Sequence, residues 1–319
     1  MEQVEYKQLV ASLEGLTEEQ FEALVATLRQ RKDTDGVQRL VMARMAESRS
    51  CPHCESTKVV KFGSAHGSQR FRCGDCRKTF TATTGTPFHR LRDKSKLLDN
   101  AACMVDGLSI RKTAVRIGIS VEKAFRWRHR FLTFLNGQKP SALSGVVEAD
   151  ETFFPVSYKG QKKGMPRTAK KRPGKTKDGA GAEKTPVVVA VQRGTQVAFD
   201  QVLPAATAVA LTEALKPVLG KDAVLSTDGN AAYWTVAKDL EVEAGYFISA
   251  YHGKGGNGAW HVQSVNRYDS SLKTWMARFK GVATKYLANY LGWRRLLDRF
   301  KDNLTPQQFL FHALRTSYQ

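Results

Sequence analysis

No apolar run in this chain approaches the roughly 20 residues needed to cross a bilayer. The acidic start, Met1-Glu2-Gln3-Val4-Glu5, lacks the basic-then-apolar layout of a secretory leader. A soluble, cytoplasmic protein with no membrane partner is the expectation. Acidic side chains are scarce beside basic ones: 30 Asp and Glu stand against 50 Lys and Arg, a formal charge of +20. That imbalance points away from small acidic substrates and toward a polyanion, nucleic acid first. An anionic membrane surface is the alternative, but no strongly basic amphipathic helix of the interfacial type supports it. No internal repeat is evident. Cysteine is scarce too, five in 319 residues, which fits reduced thiols in a cytosolic setting. What is present, a 42% hydrophobic fraction over this length, is enough for two or three domains with cores of their own.

Four of the five cysteines form two knuckles, Cys51-Pro52-His53-Cys54 and Cys73-Gly74-Asp75-Cys76, with 18 residues between them (55 to 72). Two Cys-x-x-Cys pairs at this spacing read as one tetrahedral Zn²⁺ site with ligands Cys51, Cys54, Cys73 and Cys76; a pair of redox disulfides is the competing reading. The residues between are too few for a helical crossover and suit a hairpin, Val59 to Phe62, a turn at Gly63-Ser64, and Gln69 to Arg72. The expectation is a zinc ribbon. Cys103, in an apolar helical stretch, reads as an inert core thiol.

Before the ribbon, residues 1–46 read as a helical segment. Thr17 and Gln20 make a capping box, and Phe21, Leu24, Val25 and Leu28 recur as an amphipathic stripe that suits either a dimer helix or packing on Leu9 and Leu13. The ribbon takes 47–92. Residues 93–140 then read as helix, tight turn, helix: Ser109 caps 110–117, Gly118 ends it, and Ser120 caps the next. In that last helix Ala124, Trp127, Phe131 and Leu135 form the buried stripe, which leaves Lys123, Arg126 and Arg130 on the opposite face. Such a face is either a solvated surface or a recognition helix. The neighbouring ribbon cations, Arg70 and Arg72 with Arg77 and Lys78, favour DNA contact, since both modules would then follow one polyanion.

From Gly145 the pattern becomes β, β, β, α, β, α: strands at 146–150, 186–192, 195–202 and 223–226, with a helix at 207–219. A basic loop (158–185) separates the first two strands. Its stretch Lys159–Lys184 holds ten Lys or Arg and two acidic residues, and reads as a phosphate-tracking arm or a solvated insertion. Asp150 shares a strand face with Glu148 and Thr152, and Asp228 follows the buried strand in Thr227-Asp228-Gly229. Mg²⁺ or Mn²⁺ bridging both would explain two carboxylates under so basic a surface; a surface salt bridge and an ordinary Asp-Gly turn are the plainer readings. Farther on, a helix carries Asn266 and Lys273, seven residues apart on one face, behind His261.

With these stretches in order, Cys51 to Cys76 with Thr86-Pro87-Phe88, Asp150-Glu151-Thr152, Thr227-Asp228-Gly229, and His261 to Lys273, the chain over roughly 45–300 resembles the DDE transposases of bacterial insertion sequences, in the group with an N-terminal zinc ribbon. The resemblance implies a multidomain protein: helical prefix, zinc ribbon and helix-turn-helix, followed by an α/β RNase H-like catalytic domain with a mixed sheet over 141–319. It implies that Asp150 and Asp228 ligate Mg²⁺ or Mn²⁺, that Asn266 stands where most such enzymes have Glu, and that Lys273 is a cation near the reacting phosphate. Asn266 is the departure, matched by a subgroup with Asn followed by Lys seven residues on; Asp269, about 60° round the helix, is the distant replacement carboxylate. His261 is read either as orienting phosphate or as capping and packing.

The implied activity is binding of an element's terminal inverted repeats, then metal-dependent cleavage and strand transfer by in-line displacement at phosphorus, with no covalent protein intermediate. Double-stranded DNA is the partner, a homodimer or larger assembly the state in the DNA complex, and the bacterial nucleoid the location. Two alternatives stay open: a DNA-binding regulator that has lost the chemistry, and an RNase H-like nuclease that cuts without joining. The aromatic helix at 285–293 reads as core over the sheet.

Overall fold

In a computed structural model of the chain, the residues described are 12–25, 49–65, 68–91, 93–161, 184–247, 258 and 260–315. Most of the expected helical segment 1–46, and the expected basic loop 158–185 apart from its ends, lie outside them. The chain falls into two compact units, Met1–Phe131 with Asn303–Gln319, and Leu132–Asp302.

In the first unit residues 18–25 are helical. Thr17 N donates to Gln20 Oε1 at 3.0 Å and Gln20 N to Thr17 Oγ1 at 3.3 Å, which is the expected capping box. Three antiparallel strands follow, β1 (Val59–Ala65), β2 (Ser68–Cys73) and β3 (Thr79–Thr81). The turn expected at Gly63-Ser64 is instead a bulge: the register slips between Lys61 and Ser64, and the strand continues to Ala65. Gly63 sits there at φ +64°, a conformation that costs a residue with a Cβ. Strand β3 was not anticipated. Its Phe80 stacks on Phe71 with ring centroids 5.7 Å apart, and with Cys51, Cys73 and Ala82 they make the small core of this sheet.

Helices α1 (Leu97–Val105), α2 (Ile110–Ile117) and α3 (Val121–Leu132) come next. Ser109 Oγ accepts from Lys112 N, Gly118 closes α2 at φ +61°, and Ser120 Oγ accepts from Lys123 N at 3.1 Å. Each stop and start is therefore set by a residue suited to it. Ala124, Trp127 and Phe131 are buried, as their spacing requires. Helix α8 (Pro306–Arg315), which the sequence reading gives to the sheet domain, packs on α1, burying Phe309, Leu310 and Ala313.

The second unit is built on a five-stranded mixed sheet in the order β6-β5-β4-β7-β8, with β4 (Leu143–Pro155), β5 (Lys184–Gln192), β6 (Ala198–Val202), β7 (Leu219–Thr227) and β8 (Glu243–Tyr246). Pairs β4-β5 and β5-β6 are antiparallel, β4-β7 and β7-β8 parallel. Val187 to Val191 is a continuous apolar run buried on both faces, the pattern of a strand with layers on either side. One layer is α4 (Ala208–Leu215) and α5 (Ala231–Leu240), whose Leu211, Leu215, Tyr233 and Val236 share a core with Val147, Ala149, Val188, Ala190 and Leu225.

The other layer is α6 (Gln263–Ala277) on β4 and β5, and α7 (Leu287–Phe300) on β6. These two helices meet through Trp275, Phe279, Tyr290 and Trp293, all but Phe279 buried, so Tyr290 and Trp293 of the expected core aromatics are core, whereas Tyr286 is half-buried. Gly292 permits a close approach: a Cβ there would lie 2.5 Å from the Leu135 carbonyl oxygen.

Candidate active site and metal centre

Alternation along β4 divides its side chains between the layers. Val147 and Ala149 enter the core with α4 and α5, so Glu148, Asp150 and Thr152 face α6. In the parallel pairing Glu148 is opposite Ser226, which sets Asp150 and Asp228 two residues farther on, at neighbouring positions where β7 ends. Glu151 N donates to Asp150 Oδ1 at 2.7 Å, and Asn230 N donates to the exposed Asp228 Oδ1 at 3.1 Å. Asn230 then caps α5 by accepting from Ala232 N at 3.0 Å.

Burial pushes the Asp150 carboxyl up to about 6; the Glu151 N–H opposes this, Asp228 adds to it and Lys273 works against it. Burial and then Asp150 raise Asp269 to about 7, against the pull of Lys273 and Thr152. Glu151, on the α5 side, is raised to about 6 by burial and by both aspartates. Around this group Glu151 Oε1, Thr152 Oγ1, Tyr233 OH and Asp269 Oδ1 are buried and make no well-aligned hydrogen bond, although Thr152 lies near Asp269 and Tyr233 near Glu151. Orphaned oxygens among carboxylates that resist joint ionisation are what a divalent cation would relieve.

Helix α6 brings Lys273 to Asp150 and Asp269. Asp269 is 7% exposed and turned into the group, whereas Asn266 and Lys273 are exposed. The burial of Val265, Asp269, Leu272 and Met276 is the signal: Asp269 interrupts an otherwise apolar stripe at the spacing of a core position.

Glu148 is the residue that sequence reasoning left without a task. Fully buried, it takes Ser264 N and Val265 N on Oε2 and Arg193 Nε on Oε1, the last at 2.8 Å. His261 Nδ1 lies 3.2 Å from the same carboxylate, and Ser226 Oγ donates to the His261 carbonyl at 2.8 Å. These contacts pack His261 against Glu148 at the start of α6, while Glu148 itself takes the helix amides.

In the first unit the Sγ atoms of Cys51, Cys54, Cys73 and Cys76 all lie within 4.8 Å of one another, and among the described residues theirs is the only such cluster of three or more metal-binding side chains. Backbone N–H groups, Cys76 foremost, draw the Cys73 thiol down to about 6. Cys54 is pushed up to about 12, because burial and the three other thiols outweigh the Ser56 N–H. Four thiols so placed can hold a metal ion, and soft sulfur in a set of four suits zinc.

The basic candidates divide. Arg70 and Arg72 lie over the half-exposed Phe62 ring at 5.7 and 5.3 Å, and Arg70 also donates to Thr79 Oγ1. Arg126 is exposed beside Glu122. Lys123 pairs with Asp93, and Arg130 donates to the His89 carbonyl, so both are engaged within their own unit.

Residues 142–294 match the model of the ISXO2-like transposase domain. Over 245 residues, 76% of this chain and 82% of the relative, the chain is 29% identical to an uncharacterized protein in transposable element ISH50 of Halobacterium salinarum. The resemblance to insertion-sequence transposases is thereby borne out. Among solved structures the chain is similar to the catalytic core domain of BIV integrase (18% identity, TM-score 0.30, 55% of this chain and 98% of that one). It is also similar to a chain of a pre-cleavage Mos1 transpososome (12%, TM-score 0.24, 71% and 79%). At such TM-scores neither likeness bears on what this chain does.

Proposed function

We propose that this chain is the transposase of an insertion sequence, one that binds the terminal inverted repeats of its element and catalyses metal-dependent cleavage and strand transfer of double-stranded DNA. The observation that carries the reading is that the transposase-domain match spans Asp150 to Lys273, within which two carboxylates stand at neighbouring positions, Asp150 on β4 and Asp228 just past the end of the parallel β7. The likeness to a protein of a transposable element supports it.

In this reading Asp150 and Asp228 hold Mg²⁺ or Mn²⁺, a hard cation suited to carboxylate oxygens. When bound, the metal would acidify the attacking water or 3′ hydroxyl and offset charge at phosphorus. The residues of the chain do the rest. Glu151 N–H and Asn230 N–H each fix one oxygen of an aspartate and leave the second for a cation. Lys273 meets the reacting phosphate, and Asn266, on the exposed edge of α6, offers a neutral amide oxygen. Asp269 lies behind them as a buried carboxylate.

The four cysteines hold structural Zn²⁺. The ribbon and the helix-turn-helix of α2 and α3 form the DNA-binding part, in which Arg70 and Arg72 of the ribbon and Arg126 of α3 reach phosphate while Lys123 and Arg130 brace the unit. Concerted cutting of two ends calls for a homodimer or larger assembly on DNA, in the cytoplasm at the nucleoid.

The test is incubation with DNA carrying the ends of the element and Mg²⁺ or Mn²⁺, alongside Asp228→Asn and Asn266→Ala. Cut and joined products in the parent and none in Asp228→Asn are expected. End binding without a cut strand, across metals and salt, would overturn the reading in favour of a DNA-binding regulator.

A further inference from the structure

Helix α6 is held at its start by Glu148 and Ser226, each two residues before one of the aspartates, and Lys159 binds the chain just past its end. At its start the Glu148 carboxylate accepts from Ser264 N and Val265 N, two of the four amides a helix leaves unpaired, and sits where the helix dipole favours a negative charge. Arg193, from the β5-β6 turn, binds Glu148 and also donates to the His261 carbonyl at 3.1 Å. Ser226, opposite Glu148 in the parallel pair, donates to that same carbonyl. One residue earlier, the Trp260 ring lies so close to Gly245 that a Cβ there would come within 2.3 Å of it. Past the other end, in the turn that follows Ala277, Lys159 Nζ donates to the carbonyls of Lys280 and Gly281 at 3.1 and 2.9 Å.

The register gives this arrangement its meaning. Glu148 and Ser226 are the last paired row across β4 and β7; Asp150 and Asp228 each follow two residues on, Asp228 just past the end of β7, close enough to interact electrostatically. The row that grips the helix is thus two residues from the carboxylates, and α6 bears Asn266, Asp269 and Lys273 above them.

We propose that Glu148, Ser226, Arg193 and Lys159 are positioning residues: a clamp that fixes the height and rotation of α6 over β4 and β7, so that Asn266 and Lys273 meet the substrate in register with Asp150 and Asp228. None of the four touches the reacting atoms. The proposal rests on the transposase reading above. Displacements near 1 Å cost cleavage chemistry heavily, because it depends on pre-set geometry.

The experiment compares the full-length parent with Glu148→Gln, Ser226→Ala, Lys159→Met and Lys159→Arg. It follows single-turnover cleavage of DNA carrying the ends of the element, affinity for those ends, and amide hydrogen exchange along 263–277. Expected are a fall of about 100-fold in cleavage for Glu148→Gln and about 10-fold for Ser226→Ala and Lys159→Met, with end affinity unchanged and exchange of α6 faster. Lys159→Arg should cut at close to the parental rate. Ser226→Ala and Lys159→Met keep the test open if Glu148→Gln does not fold. Variants that cut like the parent, or that lose end binding in step with cleavage, would overturn the clamp while leaving the transposase reading intact. A parent that cuts under no metal would overturn both.

Discussion

The ribbon and the sheet unit each gather side chains suited to a metal ion, and they differ in what else holds them together. Beneath β1-β3 the buried core comes to Cys51, Phe71, Cys73, Phe80 and Ala82, two of which are themselves candidate ligands. Beneath β4-β8 the core runs through strands and two helices, a Glu148–Arg193 pair braces the sheet, and the buried Asp200–Arg295 pair ties α7 of the second layer to it. A core as small as the first offsets little of the chain entropy of its own ordering, so a metal held by the four thiols would there be part of folding. In the second the fold stands by itself and a metal would serve chemistry.

Removing a ligand from each region breaks that comparison most sharply if it is wrong. Cys73→Ser should forfeit on the order of 10 kcal/mol of metal-linked folding energy in the ribbon. Proton NMR should then show the dispersed resonances of 49–82 collapse, while the sheet unit keeps its own thermal transition. A ribbon that stays folded without zinc would mean that Phe71 and Phe80 suffice. Asp228→Asn should do the reverse: cleavage falls by at least ~1,000-fold, as expected when an interaction made in the transition state is lost, with melting temperature unmoved. Coupled loss of fold and activity would put a structural metal in the sheet unit as well.

A smaller effect probes the electrostatics of the second region. Asp269, raised to about 7 from an ordinary 3.8, stabilises nothing when ionised: its burial cost is absent below the unfolded value, grows as pH climbs, and is complete above 7. In magnesium-free buffer Asp269→Asn should therefore stabilise the sheet unit at pH 8 by about 2–4 kcal/mol, and by less than half of that at pH 5. Denaturant melts at the two pH values measure it. Equal effects at both would show that burial of the carboxylate is not the cause.

How much of each region was legible follows the same divide. The cysteine spacing, the caps at Thr17, Ser109, Ser120 and Gly118, and the strand face shared by Glu148, Asp150 and Thr152 are local, and the sequence states them outright. The contacts that position α6 are not. Glu148 meets Ser264 across 116 positions and Lys159 meets Gly281 across 122, and no periodicity links such pairs. Gly63 misled because a glycine beside a serine suits a turn and a bulge equally. Helix α8 left the sheet because its apolar face fits α1, a choice that is invisible until both faces exist.

The smallest expected effect concerns the basic face of α3 in the first unit, where two cations should differ in role. Arg126 is exposed, and its partner Glu122 is exposed too, so the pair adds little to stability. If Arg126 contacts phosphate, Arg126→Ala should weaken end binding by several-fold and reduce the slope of log affinity against log salt by about one. Lys123 on the same helix is already paired with Asp93 and lies over Trp127 at 5.2 Å. Lys123→Ala should therefore lower the melting temperature of the first unit slightly and leave the salt slope alone. Filter binding from 50 to 200 mM salt separates the two, and a reduced slope in Lys123→Ala would mean that DNA draws this lysine off Asp93, turning an internal brace into a phosphate contact.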